Sequence, residues 1–172
     1  MRLIAEGVNR NELRRRLENF IQNVFSLMVV PVVYYMRECA RKWGDNSIGL
    51  MALMLNRALN IVPIIAYYRG EPLSSPVSTT RGFESSVRLL FEFCSEEVKS
   101  GLLNQTVCIS YAGDEDAIKM MPGYDEFANV ASQHGVQLLV SAMAVSGGGV
   151  NIGPGALNIA LATQSERLLH RH

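Results

Sequence analysis

Leu13, Leu17, Phe20, Ile21 and Val24 recur at three- and four-residue intervals, the spacing of one apolar helix face, and predict a helix over residues 9–26. Asn9 is placed to cap it, offering a side-chain acceptor to the first unpaired N–H groups. The pattern then changes to a β-branched run at 27–33, which predicts a buried strand with Pro31 confined to its end or to an edge. A short helix follows over 35–42. Trp43-Gly44-Asp45-Asn46 stops it, and Asn46 or Ser47 caps a second apolar helix running to about Arg57.

Residues 61–68 carry the strongest strand signal. Arg69-Gly70-Glu71-Pro72 has the turn chemistry to reverse it into 73–80, a hairpin with a bulge at Ser74-Ser75-Pro76. Val87, Leu90, Phe91, Cys94 and Val98 restore the helical period within 82–100, and Gly101 ends it. Residues 106–111 read as a strand. Gly113-Asp114-Glu115-Asp116 opens another helix with acids where its dipole favours them, and Pro122-Gly123 interrupts it before a helix over 124–132. His134-Gly135 ends that helix, so His134 reads as a helix-end charge and not as a catalyst. The apolar runs 136–144 and 156–163 are strand-like and flank the glycine-rich turn from Ser146 to Gly155. This alternation predicts an α/β (α+β) fold: a two-layer lobe whose mixed sheet of five or six strands is covered by helices, mainly on one face. One domain is expected over 1–164, with a flexible tail at 165–172 that holds His170 and His172.

Composition narrows the function. With 48% apolar residues in 172 the chain can fill one sizeable core. Sixteen basic residues balance sixteen acidic ones, so no overall field draws nucleic acid or an anionic membrane surface. Arg10, Arg14, Arg15 and Arg16 interleave with Glu12 and Glu18 as a solvated helix face. Cys39, Cys94 and Cys108 form no CxxC and no zinc spacing, and read as buried free thiols in a reducing cytoplasm, with no metal or cofactor. Met1 opens on an amphipathic segment and not on a signal peptide. The longest apolar stretches, 25–36 and 48–55, are shorter than the ~18–20 residues of a membrane helix. No nucleophile stands beside a base, so no catalytic residue is assigned and no enzyme is expected.

The glycine-rich turn presents backbone N–H groups and the Asn151 amide. Spacing alone favours a tight connection between two buried strands. A phosphate cradle is the alternative, but the lysine and Ser/Thr of a P-loop are absent, as is GxGxxG.

Several stretches in order are similar to the C-terminal domain of the DegV family of fatty-acid-binding proteins. They are Ile4-Ala5-Glu6-Gly7 with Glu12-Leu13, Leu59-Asn60-Ile61-Val62-Pro63-Ile64, Gly70-Glu71, Thr80-Arg81-Gly82, Tyr111-Ala112-Gly113-Asp114, and Ile152-Gly153-Pro154-Gly155-Ala156-Leu157. The resemblance covers nearly the whole chain and implies one lobe of a two-lobed carrier that holds a long-chain fatty acid between its lobes. It implies Arg81, Asn151, Ile152, Gly153 and Gly155 as lipid-contacting residues. The partners it implies are a DegV-like N-terminal lobe or a second copy in a homo-oligomer, and a fatty-acid kinase. The family's first lobe, with the serine and threonine that grip the carboxylate, has no counterpart in this chain. Three departures stand out: Asn151 replaces a histidine before the turn, Tyr111 stands where histidine is frequent, and Trp43-Gly44-Asp45-Asn46 lacks the arginine of a GGRI step. An alternative of a different class is a non-catalytic assembly module that pairs with itself or with a partner subunit.

Overall fold

Asn9 caps the first helix as its position predicts, its side chain accepting from the Glu12 N–H at 3.0 Å. The computed structural model of the chain describes residues 7–42, 44, 57–69, 71–72, 76–144 and 152–164. Helix α1 (Arg10–Ile21) carries its charges in water: Glu12 bridges Arg15 at 2.9 Å and Arg16 at 2.7 Å, and Arg14 meets Glu18 at 2.7 Å. Hydrogen bonds from Arg15 and Arg16 hold the Glu12 carboxyl down to about 2. Such exposed pairs add little stability. No α1 residue is buried, and Leu17 and Ile21 of its predicted apolar face remain 45% and 58% exposed.

The helix ends earlier than its periodicity suggested. Val24 belongs to β1 (Val24–Val29), where Phe25, Leu27 and Val29 alternate on one face and are at most 1% exposed. Period-2 burial against the core overrides the helical spacing of Val24. Pro31 lies just beyond the strand, and α2 (Val33–Lys42) begins two residues before its predicted start. The strand β2 (Ile61–Tyr68) matches its sequence limits, with Val62, Ile64 and Ala66 buried. The hairpin return is broken into β3 (Glu71–Pro72) and β4 (Ser78–Arg81), both antiparallel to β2.

Helix α3 (Phe83–Ser100) buries all five predicted positions, Val87, Leu90, Phe91, Cys94 and Val98. Gly82 at φ 83° and Gly101 at φ 99° bound it, conformations that a side chain disfavours. After β5 (Thr106–Tyr111) the predicted acidic helix start tightens to a 3-10 helix, Glu115–Met120, capped by Asp114, whose side chain accepts from the Asp116 N–H. Then come α4 (Tyr124–Gln133), β6 (Gln137–Ala142) and β7 (Leu157–Ala162). His134 caps α4, its ring Nδ1 2.9 Å from the Val130 carbonyl.

The sheet runs β3-β2-β1-β7-β5-β6, with β4 also on β2. It is mixed: β5 and β6 are parallel and the other pairs antiparallel. With two-residue β3 and four-residue β4 taken as one interrupted return strand, the sheet has six strands among the described residues, within the five or six expected. One face packs under α3, which lies against β1, β2, β4 and α4, while α4 and the 3-10 helix cover β5 and β6. Phe91 centres this layer, stacked 5.5 Å from Phe127 and edge-on to Tyr124 at 5.8 Å.

Two polar ties lock α3 to the sheet. Ser86 donates to the Val62 carbonyl at 2.8 Å and lies 2.6 Å from the Thr80 hydroxyl, and Thr163 at the exit of β7 donates to the buried Glu97 carboxylate at 3.1 Å. No buried side-chain polar atom among the described residues lacks a partner, which is what low-dielectric burial demands.

The expectation of buried thiols holds for Cys94 alone, whose thiol burial pushes far up; Cys39 is half-buried and Cys108 exposed. An exposed cysteine follows from alternation, since Cys108 points away from the face that buries Val107 and Ile109. The predicted helix from 46 or 47 to 57 lies outside the described residues apart from a turn at 57–59, as does the tail at 165–172.

Phe91→Ala should lower unfolding free energy by about 3–5 kcal/mol in urea titration, the usual cost of removing a buried phenyl. Met120→Ala, at a residue 81% exposed, should change it by less than about 0.5 kcal/mol.

Candidate functional site

Strand β2 is apolar on both faces, yet α3 covers only one of them. On the side away from α3, alternation places Ile61, Pro63, Ile65 and Tyr67 of β2 beside Ser26 and Met28 of β1. The register continues these rows across β7 and β5: Tyr67, Ser26, Ala160 and Cys108 in one, and Ile65, Met28, Asn158 and Ser110 in the next. Ile65, Met28, Asn158 and Ala160 are all half-buried. The polar groups in the middle satisfy one another, Ser26 donating to the Asn158 side-chain carbonyl at 2.6 Å. Among the described residues this side of the sheet is an apolar surface with a paired polar centre that α3 does not cover.

Helix α2 sits on this open side. The Tyr35 ring occupies the space in front of Gly153, where a Cβ would project. One turn later Cys39 approaches Tyr67, whose hydroxyl pKa is raised by burial first and by the cysteine second.

Residues 152–155, the described end of the glycine-rich stretch, lie at one end of this face. Gly153 is buried at φ 85°, and Gly155 has φ 78° with Pro31 3.3 Å from its would-be Cβ. The Gly155 N–H donates to the Ala112 carbonyl at 2.8 Å, and the Ala112 N–H donates to the Ala156 carbonyl at 2.8 Å. These bonds bring two motifs together that lie forty residues apart in sequence, Tyr111-Ala112-Gly113-Asp114 and Ile152-Gly153-Pro154-Gly155. The Gly155 N–H is thereby engaged within the fold, while that of Gly153 makes no bond among the described residues. Ile152 is half-buried, and Asn151 lies outside the described residues.

Arg81 ends β4 opposite Ile61, on the open face and at the same end of the sheet as the turn. Its side chain is exposed and makes no hydrogen bond or ion pair among the described residues. From β4 to β7 is three strand spacings, about 14 Å. The Arg81 and Gly153 backbones are therefore separated across the sheet, and a shared small head group requires the arginine side chain to extend inward.

Met28, Ile65, Tyr67 and Tyr35 were not singled out from the sequence. The signal was present in the unbroken apolar run of β2, since a strand with one solvated face alternates. A groove of about 530 Å³ lies elsewhere, on the helical side between α3 and α4, lined by Arg88, Glu92, Phe93, Glu96, Lys99 and Glu126 among others. Its charged rim suits solvent better than an acyl chain. Among the described residues no three His, Cys, Asp or Glu side chains converge as a metal site, and no helix is long and apolar enough to cross a membrane.

The family model of the uncharacterised DegV proteins matches residues 1–164. The chain belongs to the DegV family. It is 37% identical over 163 residues to a DegV domain-containing protein of Xanthomonas axonopodis pv. citri, covering 95% of this chain and 51% of that one. A relative from Xanthomonas campestris pv. campestris is likewise 37% identical over 164 residues, at 95% and 51% coverage. The chain thus spans about half the length of the curated relatives it matches. Among solved structures, the fatty acid binding DegV family protein of Streptococcus agalactiae superposes with a TM-score of 0.65 at 14% identity, over 95% of this chain and 53% of that one. The Fatty Acid Kinase (Fak) B3 protein of Streptococcus pneumoniae, loaded with linoleic acid, gives 0.70 at 14% identity, over 94% and 52%. DegV of Bacillus subtilis, described as a fatty acid binding protein, gives 0.66 at 17% identity, over 95% and 53%. The mixed α/β lobe is therefore that of DegV structures.

Gly153→Ala in this DegV chain should cost about 2–4 kcal/mol, combining left-handed strain with collision against Tyr35. In a Tyr35→Ala background only the backbone part, about 1–2 kcal/mol, should remain. A urea double-mutant cycle measures the difference. Equal cost in both backgrounds would show that the ring is not the obstacle.

Proposed function

We propose that this DegV chain is a non-catalytic lipid-binding lobe of the cytoplasm, holding the acyl chain of a long-chain fatty acid against the open face of its sheet. The observation that carries this reading is the apolar surface formed by Ile61, Pro63, Ile65, Tyr67, Met28 and Ala160, on the side of the sheet that α3 leaves uncovered. Removing such a surface from water is favourable at roughly 25 cal/mol per Å², and an alkyl chain is a shape that can lie along it. The fatty acids named with the related structures support this choice of ligand.

The head group lies at the end of the sheet that carries Arg81 and the glycine-rich turn. There Arg81 supplies the charge-assisted hydrogen bond to a carboxylate, Asn151 a neutral donor, and Ile152, Gly153 and Gly155 the adjoining wall. The Gly155 N–H is engaged with Ala112, so its contribution is shape and not donation. A complete carrier adds a DegV-like first lobe or a second copy of this chain over the face, and a fatty-acid kinase is the partner that would act on the carboxylate.

Titration of oleate into the delipidated chain tests this. Arg81→Ala should weaken binding by about 1.5–3 kcal/mol, roughly ten- to 150-fold, the range for a hydrogen bond to a charged group. Met28→Asp, which buries a charge under the acyl chain, should abolish it. Because Asn151 does not titrate, affinity should stay flat between about pH 6 and 8. Unchanged affinity in Arg81→Ala would remove that residue from the head-group site, and unchanged affinity in Met28→Asp would remove the open face from the acyl site.

A further inference from the structure

The two edges of the sheet are built differently. At one, the outer strands are short: two-residue β3 ends in Pro72, which has no N–H to offer, and four-residue β4 ends in Arg81. Short strands, proline and charge are the devices that keep an edge from pairing with another chain. At the other edge β6 has none of them. Gln137-Leu138-Leu139-Val140-Ser141-Ala142 carries neither charge nor proline, pairs with β5 along its full length, and has no strand beyond it among the described residues.

The hydrogen bonds say which backbone groups face outward. The Gln137 N–H donates to the Gln105 carbonyl at 2.9 Å and the Met143 N–H to the Tyr111 carbonyl at 2.7 Å. In a parallel ladder alternate residues bond to the same neighbour, so the odd positions of β6 are turned to β5. The N–H and C=O groups of Leu138, Val140 and Ala142 therefore point away from the sheet. Exposed apolar side chains flank them: Leu139 is 46% exposed, and Met120, on the 3-10 helix packed beside β6, is 81% exposed.

We infer that β6 is a self-pairing edge, joined antiparallel to β6 of a second copy of this chain about a two-fold axis at Val140. The pattern is self-complementary. A two-fold at Val140 sets Val140 against Val140 of the other copy and Leu138 against Ala142, so every outward donor meets an outward acceptor, roughly six hydrogen bonds in all. Leu139 then faces Ser141 across the axis. With no charge on the strand, self-pairing opposes no like charges, which distinguishes a second copy from a charged partner strand. The two sheets become one, with both open faces on the same side.

The test uses the full chain, with sedimentation equilibrium for association and amide hydrogen exchange for the contact. The double variant Leu139→Lys with Ser141→Lys places like charges opposite each other twice and should raise the dimer dissociation constant at least roughly tenfold. Leu139→Lys with Ser141→Glu changes the same exposed positions but sets opposite charges across the axis, and should dimerise like the unmodified chain. In the unmodified dimer the amides of Leu138, Val140 and Ala142 should become protected as concentration rises. Four results would overturn the inference: a chain that stays monomeric at about 1 mM, near the weak limit of specific association; a dimer indifferent to the two lysines; no recovery with the lysine–glutamate pair; or protection of the three amides in the monomer, which would mean that the same chain already covers the edge.

Discussion

The antiparallel pairing of β1 with β7 holds the lobe together. These strands are more than a hundred residues apart in sequence, yet they lie side by side at the middle of the sheet from Val24 with Ala162 to Val29 with Leu157. To one side they carry β2 and its broken return strand, and to the other β5 and β6. Their register decides which residues face α3 and which face outward. A slip of one residue would exchange Leu27 and Ile159 for Met28 and Asn158 under the helices, burying polar groups and exposing the core. The helical layer and the outward face are two consequences of a single alignment.

That alignment also explains the position of residues 152–155. β7 can enter the centre of the sheet only if the chain before it passes close to the ends of β1 and β5, where Pro31, Tyr35 and Ala112 already stand. Glycines at positive φ with no side chain allow the approach. The sequence reading of this stretch as a tight connection accords with residues 152–155, while the reading by resemblance as a ligand border belongs to the function proposed for the adjoining face. The bonds of Ala112 with Gly155 and Ala156 account for the first.

Much of this was legible in advance because the signals were local. β2, β5, α3 and its terminal Gly101 followed from apolar spacing and glycine position, and the Asn9 cap from a single side chain. What failed was non-local. Val24 fits a helical spacing in sequence but is claimed by the sheet. The acidic start after Gly113 opens a six-residue 3-10 helix, packed against β5 and β6, where an α-helix was expected. Of the candidate site, Arg81, Ile152, Gly153 and Gly155 were marked by motif, and all lie at one end of the sheet, whereas Asn151 lies outside the described residues. The apolar wall of Met28, Ile65 and Ala160 needed the register, since no spacing within one strand reveals its neighbours.

The central claim is that an acyl chain lies on the outward face of the sheet and not among the helices. The most direct measurement is methyl NMR of the chain with a fatty acid carrying a nitroxide near its methyl end. The account predicts the strongest broadening at Met28, Ile65 and Ala160, with weaker broadening at Leu90 and Val98 on the opposite side of the sheet. Broadening centred instead on Leu89 and Val130, in the groove between α3 and α4, would contradict it.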